Sequence, residues 1–306
     1  LREVGQRVIL GRMPVIDAHV HLYPPEANRD PAGWAAAQNE PHWAVMCARV
    51  RKTTGRPVQA FPSVDALLRE MDAAGVDRAV LLGWYWENHD TCVRQNRFYA
   101  ECVRAHPGRL SAFATVHAGA GGAALAEMKR AQDDGLTGLG EVSPHSQHVD
   151  VHDERWRAVL AQAGELGLPV NVHVTDPRVG KYPGRVETPL ADFLGMARAF
   201  PQVRFILAHW GGRLWKEGGA LPENVWVDTA ATPLLYGADA EIWTEGLAAC
   251  GPEKILWGTD YPLELYPREP GKGSMAGLLA EARARIPARE RGEVSGENAR
   301  RVLGLG

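Results

Sequence analysis

The chain has no run of about 18 consecutive apolar residues, so the signal for a membrane-spanning helix is missing and a membrane partner is not expected. Cysteine is sparse. Cys47, Cys92, Cys102 and Cys250 are scattered with no C-x-x-C pair, which excludes a disulfide scaffold and fits buried small residues in a reduced, cytoplasmic chain. A dominant charge of either sign is also lacking: 34 basic residues face 37 acidic ones, the formal net charge is −3, and neither sign forms a long block. An extended nucleic-acid surface is therefore not expected, and a small molecule is the default partner. The opening "LREVGQRVILGRMP" has neither the apolar core nor the small-residue cleavage site of an export signal. No internal repeat, low-complexity tract or domain boundary is visible, so residues 1–306 are read as one domain.

What the chain does have is regular alternation. Short runs rich in Val, Ile and Leu ("VIDAHVHL", "VDRAVLLGW", "LSAFATVH", "LTGLGEVS", "PVNVHV", "VRFILAHW", "VWVDTAA" and "KILWGTD") are separated by segments of helical period. The clearest helix is predicted over 153–167. Asp153 is its N-cap, Trp156, Val159, Leu160, Ala163 and Leu166 mark one face, and Gly167 and Pro169 end it. A second runs from Ser63 to Gly75. Eight strand–helix alternations predict an α/β fold, a single (β/α)8 TIM barrel. Residues 24–62 form a connection far longer than usual after the first strand. Trp34 and Trp43 predict that it packs as a cover over the barrel mouth, because disordered linkers are poor in aromatics.

In such a barrel the active site lies where the strands end. Strand 1 ends in His19 and His21, strand 4 in Glu141, strand 5 in His173, strand 6 in His209 and strand 8 in Asp260. If Val15 to His21 is extended, Asp17, His19 and His21 share one face and Ile16, Ala18 and Val20 the other. The same alternation points Asn171 and His173 inward, groups Phe205, Leu207 and His209, and groups Leu256, Gly258 and Asp260. A lone H-x-H often only caps a strand by hydrogen bonding. Four imidazoles and two carboxylates buried together without a cation would form a costly, poorly satisfied cluster. The convergence therefore predicts a divalent-metal site.

The pattern of H-x-H after strand 1, Glu after strand 4, His after strands 5 and 6, and Asp in "GTDYP" after strand 8 resembles the amidohydrolase superfamily. The closing "GENARRVLGLG" resembles the C-terminal helix of its amidohydrolase-related branch, which holds hydrolases, lactonases and decarboxylases of small acids. The resemblance implies that His19, His21, His173 and Asp260 hold a catalytic ion, with His209 a further ligand or a group that polarises the substrate. Glu141 in "GLGEVS" is similar to the bridging glutamate of TatD-type members, which implies room for a second ion. With no lysine near the end of strand 4, the carboxylated-lysine bridge of other members is not expected.

Imidazole and carboxylate together suit zinc first, and manganese, cobalt or iron as well. A bound ion lowers the pKa of water to roughly 7, so the expected chemistry is attack by a metal-bound hydroxide on an ester, lactone or amide, with Asp260 moving the proton. Arg178, Lys181, Tyr182 and Arg213 in the loops after strands 5 and 6 are candidates for binding a carboxylated small molecule, each with a solvated rim as the competing reading. Tyr23, Trp84, Trp86, Trp210 and Tyr261, with Tyr85, are candidates to wall it. His117, His145 and His148 rank behind the ligand set. Two alternatives stay open: a non-oxidative decarboxylase, and a non-catalytic metal-binding barrel. A nuclease is disfavoured by the acidic balance and the aromatic cover. A homo-oligomer is compatible with everything above.

Overall fold

The computed structural model describes residues 13–218, 220–237, 241–269 and 271–305. The export-signal reading of the opening segment, residues 1–14, lies outside the described residues except for Met13 and Pro14. All eight apolar runs form strands: β1 (Ile16–Val20), β2 (Arg78–Leu81), β3 (Leu110–Ala112), β4 (Leu139–Val142), β5 (Val170–Val172), β6 (Phe205–Leu207), β7 (Val225–Asp228) and β8 (Ile255–Leu256). Each pairs in parallel with its sequence neighbour within two arcs, β1-β2-β3 and β4-β5-β6-β7-β8.

Backbone hydrogen bonds join the arcs at both seams. Between β3 and β4, Ala114 N–H donates to the Gly138 carbonyl at 2.8 Å and Gly140 N–H to the Ala114 carbonyl at 2.7 Å. Between β8 and β1, Ala18 N–H donates to the Trp257 carbonyl and Asp260 N–H to the His19 carbonyl, both at 2.9 Å. The result is the parallel α/β barrel.

The two helices with legible caps form as their sequences dictate. Helix Glu154–Glu165 begins where the Asp153 carboxylate accepts Arg155 N–H, and it buries Trp156, Val159, Leu160 and Ala163. Helix Val64–Ala74 is capped by the Ser63 hydroxyl and ends at Gly75, whose φ of 71° only glycine adopts cheaply. Among the described residues no helix is long and apolar enough to cross a membrane.

The facing of two strands differs from simple alternation. Ile16, Ala18, Val80, Leu82, Phe113, Ile206 and Leu256 pack in one cluster with Ala299 and Val302. A cluster drawn from opposite sides of the ring can only lie inside it, and the C-terminal helix Asn298–Val302 plugs its lower end. Ile16 and Ala18 therefore face inward and Val20 outward, because the pairing register shifts between Asp17 and Val20. On β6 it is Ile206 that faces inward, while Phe205 and Leu207 pack against the helices. His209 still reaches the centre because the chain leaves the strand with φ = 57° at that residue. On β8 the inward position of Leu256 agrees with the pattern, and Gly258 has no room for a side chain: a Cβ there would lie 2.8 Å from the His19 Cβ.

Residues 24–62 fold over the mouth as three short helices, Pro25–Arg29, Pro31–Gln38 and Pro41–Cys47, each opening on a proline. Trp34, Trp43 and Met46 bury against Tyr23, Trp84 and Trp86. A reciprocal pair of carboxylates ties this layer to the loop after β2. Glu40 accepts the N–H groups of Glu87 (2.7 Å) and Asn88 (3.1 Å), and Glu87 accepts that of His42 (2.7 Å).

Candidate metal centre

The two histidines of the H-x-H run are each held by one ring nitrogen. His19 Nδ1 lies 2.9 Å from Asp228 Oδ2, and His21 Nδ1 lies 2.9 Å from the Leu82 carbonyl. Carboxylate and carbonyl oxygens only accept, so Nδ1 carries the hydrogen in both rings and, in the neutral form that a metal would need, each Nε2 presents a bare lone pair. Those two Nε2 atoms are 3.1 Å apart. Two lone pairs facing each other at that distance repel unless a positive charge lies beside them. The acidic surroundings report the same demand: burial opposes protonation of His19, yet Asp228, Asp260 and Glu141 push its pKa up to about 10. The residues present fit a divalent cation, and in its absence a proton takes up the same negative field.

Glu141, at the end of β4, divides its two oxygens between two histidine pairs. Oε1 lies 2.9 Å from His173 Nδ1 and 3.6 Å from His209 Nε2. Oε2 lies 3.6 Å from His21 Nε2 and 3.9 Å from His19 Nε2. His209 donates Nδ1–H to the Ala230 carbonyl at 3.2 Å, so its Nε2 is also free to face the centre. Two donor triplets follow, His19/His21/Glu141 and Glu141/His173/His209, each with its donor atoms within 4.8 Å of one another and with Glu141 common to both.

Asp260 closes the ring of ligand-type groups, with Oδ1 3.4 Å from His21 Nε2 and Oδ2 3.8 Å from His209 Nδ1. Like His209 it is a non-glycine residue at positive φ, 68°, a conformation that persists only where the surroundings hold it. Burial works to protonate both carboxyls. The His173 and His209 contacts nevertheless hold Glu141 well below the usual carboxylate range, and His21, His19 and His209 depress Asp260. Burial keeps His173 below its ordinary value, whereas Glu141 and Asp260 raise His209 against its own burial.

Above these groups opens a cavity of about 840 Å3. His21, Glu141, His173, His209 and Asp260 form its polar floor. Of the residues expected to bind substrate, Tyr23, Trp84, Lys181 and Tyr182 line it. Trp86, Arg178, Trp210, Arg213 and Tyr261 do not. Trp86 is fully buried in the aromatic layer under the cover. Trp210 is fully buried against Trp243 and donates to Thr232 Oγ1. Arg178 is exposed and paired with Glu217; Arg213 is held by Asp176 with its guanidinium over the Tyr236 ring; Tyr261, half-buried, packs against the main core. His145 pairs with Asp192 and His148 is exposed, both away from the floor.

A family model described as Amidohydrolase matches residues 16–305, nearly the whole chain. The chain belongs to the amidohydrolase family. Solved structures agree on the fold. 5-Carboxyvanillate decarboxylase from Sphingomonas paucimobilis superimposes with a TM-score of 0.73 at 19% identity, covering 96% of this chain and 100% of that one. A probable 2-pyrone-4,6-dicarboxylic acid hydrolase from Acinetobacter baumannii, with citric acid bound, gives 0.65 at 13% identity over 96% and 100%. A dihydroxybenzoic acid decarboxylase from Polaromonas sp. JS666, with bound manganese and the inhibitor 2-nitroresorcinol, gives 0.65 at 18% identity over 95% and 97%. Family and donor set together support an amidohydrolase-type enzyme that binds a divalent metal, with both hydrolases and decarboxylases among its structural neighbours.

One organiser of this amidohydrolase site escapes a reading of strand ends for ligands. Asp228, the last residue of β7, accepts from His19 Nδ1, Asn171 Nδ2 (3.1 Å), His209 N–H (3.0 Å) and Ala230 N–H (3.1 Å). It fixes the tautomer of one histidine and the backbone of another without facing the cavity. Its signal was the carboxylate that ends "VWVD". Arg49 and Gln59, which line the cavity from the cover, carried no periodic signal at all.

Proposed function

We propose that this chain is a metal-dependent hydrolase that cleaves an ester, lactone or amide bond in a small carboxylated molecule. The carrying observation is the division of Glu141 between two histidine pairs, which suits a carboxylate shared by two ions better than a single-ion site. Zinc is the first expectation for the metal, with manganese, cobalt and iron compatible with the same donors. A divalent ion held by His19, His21, His173, His209, Glu141 and Asp260 would supply a lowered pKa for water and polarisation of a carbonyl. The protein's own groups do the rest. Asp260, ionised at neutral pH, takes the proton of the attacking water and returns it to the departing oxygen or nitrogen. His209, fixed through Nδ1, offers its Nε2 lone pair to the centre as a ligand, or, when the ring is protonated at both nitrogens, Nε2–H to the reacting carbonyl. Trp84, Tyr85 and the cover keep bulk water from the floor.

A small molecule is the proposed partner, neither nucleic acid nor membrane, and the compartment is the cytoplasm, where four free, buried cysteines stay reduced. The second reading, a non-oxidative decarboxylase, is favoured by the decarboxylases among the solved structures of this fold. Elemental analysis of wild type and Glu141→Ala, both purified without chelator, separates the two. Near two ions per chain, falling to one or none in the variant, supports hydrolysis, and turnover of a lactone and activated-ester panel should follow. One ion unaffected by the substitution, with carbon dioxide released from aromatic acids, would replace the hydrolase by the decarboxylase.

A further inference from the structure

The cavity is lined by charges of both signs: Glu141, Asp260 and Asp176 are acidic, and Arg49 and Lys52 from the cover and Lys181 from the loop after β5 are basic. Nearby arginines are already neutralised: Arg178 by Glu217, Arg185 by Glu187 and Arg213 by Asp176. Arg49 is different. Its Nε donates to the Met46 carbonyl at 3.0 Å, its guanidinium lies 5.2 Å from the centroid of the Tyr182 ring, and among the described residues no carboxylate pairs with it. The side chain is thus held in place by a carbonyl and an aromatic face, with its terminal nitrogens uncommitted.

Gln59 supplies a second, independent sign. It is 3% exposed and lines the cavity, yet its Nε2 has no hydrogen-bond partner at normal bonding distance and angle, and it engages the Tyr23 hydroxyl only at longer range. A buried amide donor without an acceptor is expensive, and such groups in a cavity mark where a ligand's acceptor goes. Arg49 and Gln59 belong to one small hairpin: Val50 bridges Pro57, and Val58 N–H donates to the Arg49 carbonyl at 2.9 Å. Gln59 is tied in turn to Leu263 after β8, so the hairpin is anchored to the barrel. The cavity lining also has an apolar share, including Val58, Val174, Leu234 and Leu235.

We infer that Arg49 and Gln59 form a carboxylate subsite in the cover, and that the substrate is a short acid whose carboxylate is separated by an apolar or ring-shaped body from the bond cleaved at the floor. The inference rests on the hydrolytic reading for events at the floor, but the binding of the acid group is separable from it. Guanidinium and amide N–H groups complement the acceptor oxygens of a carboxylate.

The test compares benzoate with its neutral isostere benzamide, titrated against the metal-loaded protein by quenching of tryptophan fluorescence. Arg49→Ala should weaken benzoate by about tenfold or more, as expected for losing a charge-assisted hydrogen bond, and leave benzamide unchanged. Arg49→Lys should recover part of the loss, and Gln59→Leu should weaken benzoate by about threefold. An unchanged melting temperature checks that each variant is folded. Equal losses for benzoate and benzamide would mean a lost wall contact and overturn the subsite. So would failure of wild type to bind benzoate at millimolar concentration, or benzoate binding that vanishes with chelator but ignores Arg49. No turnover is involved, so inactivity towards esters would count against the hydrolase alone.

Discussion

The floor of the cavity and the cover above it hold their polar groups in different ways. On the floor almost every polar atom is committed: Asp228 alone takes four donors, Asp17 accepts from Thr259 N–H (2.9 Å), Thr259 Oγ1 (2.6 Å) and His19 N–H (3.1 Å), and three histidines have one nitrogen fixed. The cover is an aromatic layer fastened at a few points, and it leaves the terminal nitrogens of Arg49 and the amide nitrogen of Gln59 without a normal hydrogen bond. Rigid, over-determined groups suit work that is the same for every substrate, such as holding an ion and moving a proton. Uncommitted donors on a separately anchored layer suit recognition. On the proposed reading, chemistry belongs to the ring and selectivity to the layer above.

The largest test of that division is Asp260→Asn. Removing the proton acceptor should lower turnover by about a thousandfold while the melting temperature and the affinity for benzoate stay near wild type. Asp228→Asn comes next. By loosening His19 it should weaken metal binding by roughly 10- to 100-fold, read by competition with a chromophoric chelator, although Asp228 never faces the cavity. The same assay run against pH should show the floor's charge. His19, pushed up to about 10, is protonated at neutrality in the metal-free protein, and an ion must displace that proton. Apparent metal affinity should therefore rise by about tenfold per pH unit from pH 7 towards 10 and fall as the solution is acidified. A flat profile would show that His19 is already neutral.

The smallest effect is expected in the fastenings of the cover. Glu40→Gln leaves one accepting oxygen where two N–H groups now find separate ones, and should cost about 1–2 kcal/mol of stability. If the division holds, it should raise KM, speed proteolytic cleavage within residues 24–62 and leave metal content unchanged. Loss of metal in Glu40→Gln would show that floor and cover are one unit.

The same contrast explains what could be read in advance. His19, His21, Glu141, His173, His209 and Asp260 stand at the ends of apolar runs, and the run pattern is a direct image of strands buried on both faces. Ser63 and Asp153 marked helix starts because a cap is a local event. Facing on β1 and β6 was not legible. A register shift and a left-handed non-glycine residue, His209, are produced by the surrounding packing and leave no local sequence signature. Trp86 and Trp210 follow strand ends as Trp84 does, and only the three-dimensional packing decides which of them meets the cavity. Arg49 and Gln59 lie in an aperiodic segment whose composition indicated packing and whose hairpin brings them to the cavity.

The seam between β8 and β1 bears on how the molecule is made. His19 and Asp260 are joined across it by a backbone hydrogen bond, and Asp17 is locked to Thr259, a partner 242 residues away. During synthesis the first strand leaves the ribosome long before the eighth, and contacts of such large sequence separation form slowly. A nascent chain therefore carries the H-x-H pair without the carboxylate that completes the ligand ring. The full ring of ligand-type groups is therefore complete only once the last strand has docked against the first.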